Sequence, residues 1–271
     1  MTRIRASDGT SLYVQDLGDG PPVVLVSGFG LDGTLWDRQI RILSASGYRV
    51  VCIDQRGHGR SDKPLSGYAV TELADDLETV LDRLDLFEAT LVGHSFGGQV
   101  AFAAAAASVR VGRLVLVGSN AVSAARTPAF PFGAPSDAVL PSLIDDEAEN
   151  RISSRRATLV GAFATSPSDD LAAWLLATSL RMPSWAAIAC YRSMLTTDLV
   201  HLLPKVRQPV LQVIGAADPV HSTKGALWLS RQLHDADLIE LDACGHYPML
   251  EMPATFETAL LDFMSHSTAA H

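Results

Sequence analysis

The chain has 271 residues, 48% hydrophobic and 19% charged, with 21 basic against 30 acidic side chains and a net charge of −9. A chain of that length buries a core that needs no staples, and the three scattered cysteines, Cys52, Cys190 and Cys244, form neither a disulfide framework nor a zinc pattern. An acidic chain without a lysine or arginine cluster is a poor binder of nucleic acid, where phosphate neutralisation supplies most of the affinity, and anionic membranes are disfavoured likewise.

The first elements read as a hairpin, Ile4 to Ser7 and Leu12 to Val14, turning at Asp8-Gly9. Val23-Val24-Leu25-Val26 is a continuous apolar run, as expected of a strand covered on both faces. It ends in the glycine-rich loop Ser27-Gly28-Phe29-Gly30. A short helix follows from Leu35 to Ser46, then the buried strand Val50 to Ile53, then a loop from Asp54 to Tyr68. Val70, Leu73, Leu77, Val80, Leu81 and Leu84 recur at helical spacing between acidic residues, the pattern of an amphipathic helix on a sheet. The strand Ala89 to Val92, an alanine-rich helix from Gln99, and the strand Arg113 to Val117 complete an alternation of strands and helices that predicts a parallel sheet with helices on both faces.

From Asn120 to about Leu203 no buried strand run occurs. Pro128, Pro131, Pro135 and Pro141 punctuate its first part, and helical patterns follow at roughly 142–163, 169–180 and 184–199. Phe130, Phe132, Trp174 and Trp185 look exposed there. A structureless connection this long would be anomalous, whereas a helical insertion is not. The sheet pattern resumes with the strand Val210 to Ile214, a helix from Ser222 to Leu233, the strand Asp237 to Leu241 and a closing helix from Pro253 to Met264. The polar tail from Ser265 to His271 is expected to fray. Met1 to Arg5 carries no apolar signal-peptide core, and no apolar run approaches the ~18 residues of a membrane span. A reducing, cytoplasmic setting is expected; the oligomeric state is open, a homodimer included.

Gly93-His94-Ser95-Phe96-Gly97-Gly98 has G-x-S-x-G spacing where a strand becomes a helix, the form of a nucleophile elbow. A serine hydroxyl is a weak nucleophile and needs a base oriented by a third group. In such an architecture the partners follow in the order Ser, acid, His, at the ends of later strands. Asp218 follows the strand 210–214 and His246 follows the strand 237–241, so both share with Ser95 the rim where open parallel sheets place their sites. His221 starts a helix one strand too early to be the base, and His94 and His58 read as structural. Gly28, Gly30 and Gly33 are not read as a dinucleotide fingerprint, and no cluster has metal-ligand spacing, so neither cofactor nor metal is expected.

Taken with Ser27-Gly28-Phe29-Gly30, the loop Asp54-Gln55-Arg56-Gly57-His58-Gly59-Arg60-Ser61, Gly215 with Asp218, and Gly245-His246, the elbow makes the chain resemble the α/β-hydrolase fold superfamily across its length. The branch it resembles is that of serine esterases and cofactor-free perhydrolases, the non-haem haloperoxidases. The resemblance implies a mostly parallel eight-stranded sheet flanked by helices, with a core of residues 1–119 and 204–271 and a helical cap of residues 120–203 after the sixth strand. It implies Ser95 as nucleophile, His246 as base and then acid, Asp218 as the group that orients the imidazole, and the backbone N–H groups of Phe29 and Phe96 as the oxyanion hole. Trp185, Phe130, Phe132 and Tyr247 are expected to line an apolar pocket for a small-molecule substrate. Serine at the elbow argues against the similar haloalkane dehalogenases and epoxide hydrolases, which use aspartate there. The family usually has His-Gly where this chain has Ser27-Gly28, so the loop's supporting bonds must differ. The expected activity is hydrolysis of an ester or lactone through an acyl-enzyme, with perhydrolysis and carbon–carbon hydrolysis of diketones as alternatives. A non-enzymatic alternative comes from the stretch Leu31 to Trp36 and from Thr197-Asp198-Leu199, which are similar to signalling hydrolase-fold proteins: receptors of the plant karrikin type and a bacterial stress-response regulator.

Overall fold

The computed structural model describes residues 2–265. Eight strands form one sheet: β1 (Thr2–Arg5), β2 (Ser11–Leu17), β3 (Pro22–Val26), β4 (Arg49–Asp54), β5 (Ala89–His94), β6 (Val111–Val117), β7 (Val210–Gly215) and β8 (Ala236–Leu241), in the order β1-β2-β4-β3-β5-β6-β7-β8. The β1–β2 hairpin is antiparallel and joins β4 antiparallel, while β3 to β8 run parallel. The apolar runs are continuous because both faces are covered. Val24, Val26, Leu91 and Leu116 point to one side and Val23, Leu25, Val92 and Val115 to the other, each set in its own core cluster. On the first side lie α2 (Val70–Arg83), which buries Leu73, Leu77, Val80 and Leu81, and α3 (Phe96–Ala107), which is apolar all round and buried. On the other lie α1 (Asp37–Ala45) and the last helix, with Leu43, Phe256 and Leu260. A capped 3-10 turn, Gly33–Trp36, precedes α1, so the expected helix at Leu35 is two pieces.

Between β6 and β7 the chain makes α4 (Ser136–Glu149), α5 (Arg151–Gly161), α6 (Asp169–Ser179), α7 (Ser184–Thr196) and a 3-10 turn, Val200–Lys205. The first of these corrects the sequence reading, which placed one helix over 142–163. Pro141 lies inside α4, where it has no backbone N–H to donate to the carbonyl of exposed Asp137. The helix then breaks at Asn150 (φ −129°, ψ 29°). After β7 come α8 (Thr223–Gln232), β8, the short α9 (Pro248–Glu251) and α10 (Pro253–Ser265). Of the polar tail, only Ser265 lies within the described residues.

Candidate active site

Three strand ends converge. At the end of β5 the chain turns into α3 in a single residue, and Ser95 takes φ +53°, ψ −119° to do it. A non-glycine residue in that region stores about 1–3 kcal/mol of strain. The turn is held by the Ser95 N–H donating to Val117 O (2.9 Å) and by Ser119 Oγ donating to Ser95 O (2.8 Å). Gly97 is required by close approach, since a Cβ there would lie 2.6 Å from the carbonyl oxygens of both Val26 and Ser27.

Past β7, the side chain of Asp218 is buried with both carboxylate oxygens engaged. Oδ1 accepts from the N–H groups of Val220 (2.8 Å) and His221 (3.0 Å), and Oδ2 lies 2.9 Å from His246 Nδ1. Burial pushes the carboxyl up, but the adjacent His246, the bond between them and the His221 N–H outweigh it, and Asp218 stays below the usual carboxylate range. His246 follows β8, and its ring packs on those of His94 (4.8 Å between centroids), Tyr247 (5.4 Å) and His221 (5.7 Å). Ser95 and His246 line the same cavity. Among the described residues, Ser95 Oγ makes no hydrogen bond to His246, a bond that in the absence of ligand is often looser than in the working complex.

The loop after β3 brings Phe29 beside Ser95. Ser27 Oγ donates to Asp32 O (2.8 Å) and Gln55 Nε2 to Ser27 O (2.9 Å), the bonds that support the loop where the family has histidine. Asp32 accepts from Thr34 and pairs with Arg181 at the end of α6 (3.0 Å), pinning the insertion against this loop. Asp54, also on the rim, is spent on the N–H groups of Gly33 and Arg60, 2.8 Å each. The N–H groups of Phe29 and Phe96 take no part in the turn and loop hydrogen bonds of the described backbone. That of Phe96 is one of the donors any helix start leaves free.

The cavity above Ser95 has a volume of about 400 Å³. Its walls are Phe29, Leu31 and Tyr247 from the core and Val139, Leu143, Leu159, Tyr191, Met194 and Leu195 from the insertion. Phe29 stacks on Tyr191 at 4.2 Å between centroids. Of the aromatic residues expected at the pocket, Tyr247 lines it and three do not. Phe130 is buried, edge-on to Phe132 (5.1 Å) and Trp228 (5.4 Å), so this trio packs the start of the insertion onto α8. Trp185 is 48% exposed, its Nε1 donating to Pro64 O (3.2 Å) outside the cavity. The residues missed were mostly aliphatic, with Tyr191, Met194 and one buried ion pair: Arg155, which lines the cavity, makes a two-pronged bond to Glu147 (2.6 and 2.8 Å) and donates to the carbonyls of Ser179 and Met182. No signal in the sequence marked it, because residues eight apart do not meet on an unbroken helix.

His58, His94 and His221 are all buried. His58 is fully buried, with Nδ1 3.0 Å from Arg56 O, and burial pushes it down to about 4. His94 Nε2 lies 3.0 Å from His246 O and braces the peptide of the third strand end. The ring of His221 packs face to face with His246 (27° between planes), while its contact with Asp218 is through the backbone N–H.

A mostly parallel sheet with a serine at a strand–helix elbow and an Asp–His pair at two later strand ends defines the α/β-hydrolase class. Residues 21–253 match the model of the alpha/beta hydrolase fold family, and the chain belongs to that family. It is 31% identical to a non-heme chloroperoxidase of Streptomyces lividans (97% of this chain, 99% of that one). It is 32% identical to a pimeloyl-(acyl-carrier protein) methyl ester esterase of Nitrosomonas europaea (91% and 96%). Among solved structures, an esterase from Exiguobacterium antarcticum superposes with a TM-score of 0.94 at 29% identity, over 98% of this chain and 99% of that one.

Proposed function

We propose that the chain is a serine hydrolase that cleaves the ester or lactone bond of a small, largely apolar substrate. The observation that carries this reading is the convergence of the elbow serine and the Asp218–His246 pair on one apolar cavity. Ser95 Oγ attacks the carbonyl carbon while His246 Nε2 takes the hydroxyl proton; Asp218 holds Nδ1–H and so keeps Nε2 free to accept. The oxyanion is met by the N–H groups of Phe29 and Phe96. His246 then protonates the leaving alkoxide, and water, deprotonated by the same imidazole, releases the acid from the acyl-enzyme. Residues 120–203 act as the cap that excludes bulk water, over a core of 1–119 and 204–271. The partners are the substrate and water, with no cofactor, and the setting is cytoplasmic.

The full-length similarity to a chloroperoxidase favours one second reading, in which hydrogen peroxide replaces water at deacylation and the product is a peracid. Both readings share Ser95. The test is a screen of p-nitrophenyl esters of short and medium acyl chains, and of lactones, with Ser95→Ala as blank, alongside fluorophosphonate labelling read by mass spectrometry. Turnover that survives Ser95→Ala, or a label on another residue, overturns the proposal. Peracid formation well above hydrolysis would select the second reading.

A further inference from the structure

The carboxylate of Glu251, at the end of α9, accepts four contacts from three peptide N–H groups. Gly245 donates to both oxygens (3.1 and 3.0 Å) and Tyr247 to Oε1 (3.0 Å), so the residues on either side of His246 are held by one side chain. The third donor, Ala164 (2.8 Å to Oε2), belongs to the segment just after α5. That segment also accepts in return, since the His246 N–H donates to Ala162 O (2.8 Å). The His246 carbonyl faces His94 Nε2. Every polar group of the His246 peptide and both flanking N–H groups are therefore engaged, and the only charged partner among them is Glu251. N–H bonds to an ionised carboxylate are roughly twice as strong as neutral ones. Gly245 makes the approach possible, because a Cβ there would lie 2.5 Å from both Ala162 O and Ala164 N. Ala162 and Leu159 line the cavity, so the same node fixes one cavity wall.

We propose that Glu251 is a positioning residue: its carboxylate sets the His246 imidazole in line between Asp218 and Ser95 and ties that setting to the α5 wall of the cavity. This rests on the serine-hydrolase reading above. An amide at this position has one acceptor oxygen for three donors and brings an NH₂ of its own, so the loop must turn and carry the ring with it.

The test compares wild type with Glu251→Gln and Glu251→Asp by two readouts. One is the rate at which a fluorophosphonate labels Ser95; the other is the downfield proton resonance of the His246 Nδ1–H bond to Asp218. Folded fraction is checked by near-UV circular dichroism. For folded Glu251→Gln the expected result is labelling slowed at least about tenfold with the downfield resonance shifted or lost, and partial recovery in Glu251→Asp. A folded Glu251→Gln protein that labels within twofold of wild type and keeps the resonance overturns the proposal. If Glu251→Gln does not fold, Glu251→Asp decides by the same two readouts: a shifted resonance with slower labelling supports the proposal, and an unchanged pair overturns it. Absence of labelling at Ser95 in wild type would sink the hydrolase reading instead, and the resonance alone would then judge Glu251.

Discussion

Arg155 and Glu147 stand eight residues apart, yet their side chains meet with Nη2 2.6 Å from Oε1 and Nε 2.8 Å from Oε2. On one continuous helix such residues would be about 12 Å apart along the axis. The break at Asn150 folds α5 back so that they pair, and both are 1% exposed at the side chain. Removing one partner strands a buried charge. Glu147→Gln is therefore expected to lower stability by about 3–5 kcal/mol. The double variant Glu147→Leu/Arg155→Met should recover most of that. Urea unfolding measures both, and a Glu147→Gln midpoint equal to wild type would refute the argument.

The active-site pair is expected to behave as a unit with the serine. Asp218→Asn leaves the ring in place but favours the wrong tautomer, with an expected loss of about 10⁴-fold in kcat. Ser95→Ala should lose at least as much, and the double variant little more than Ser95→Ala alone. Additive losses in steady-state kinetics would mean that the two side chains do not share a step.

Cavity size should set acyl length. Val139 and Leu143 lie one helical turn apart on α4 and both face the cavity. Leu143→Trp is expected to cut kcat/KM for medium acyl esters by at least about tenfold while sparing acetyl esters, since the lost interaction is volume and not chemistry. Trp185→Ala, outside the cavity, should leave both within twofold. A chain-length series decides, and the opposite pattern would return Trp185 to the pocket.

Acid lability follows from two buried imidazoles. Burial holds His58 and His221 down to about 4, against an ordinary 6.5. Between those values the unfolded chain binds protons that the folded chain does not, so stability rises with pH there. The contribution is complete above about pH 6.5 and is lost as pH falls to about 4, at roughly 3 kcal/mol for each group. Unfolding free energies at pH 7 and 4.5 should differ less in His221→Leu than in wild type; equal differences would remove His221 from the account.

The strands and the elbow were legible because their physics is local. A strand buried on both faces is written as an unbroken apolar run, and a strand–helix turn around one serine demands small neighbours. Asp218 and His246 could be placed because each follows such a run. The pocket was not legible from Phe130, Phe132 and Trp185, because an aromatic ring in the insertion can equally serve to pack it on the core, as the contact with Trp228 does. Its aliphatic wall is assembled from α4, α5, α7 and the loop after β3, and that shared face is recognisable only once these elements are packed together. Glu147 with Arg155, and Glu251 with Gly245, depend on chain reversals that no periodicity announces.

The insertion leaves the sheet beside the elbow, where Ser119 Oγ holds Ser95 O, and returns at Pro209, whose carbonyl accepts from Leu114 of β6. Its two ends thus lie on neighbouring parallel strands, at the C-terminal end of β6 and the N-terminal end of β7. Much of the chamber wall is consequently inherited as one uninterrupted stretch of coding sequence. Exchange of that stretch by recombination could change what enters the chamber while the sheet and its three strand ends stayed untouched.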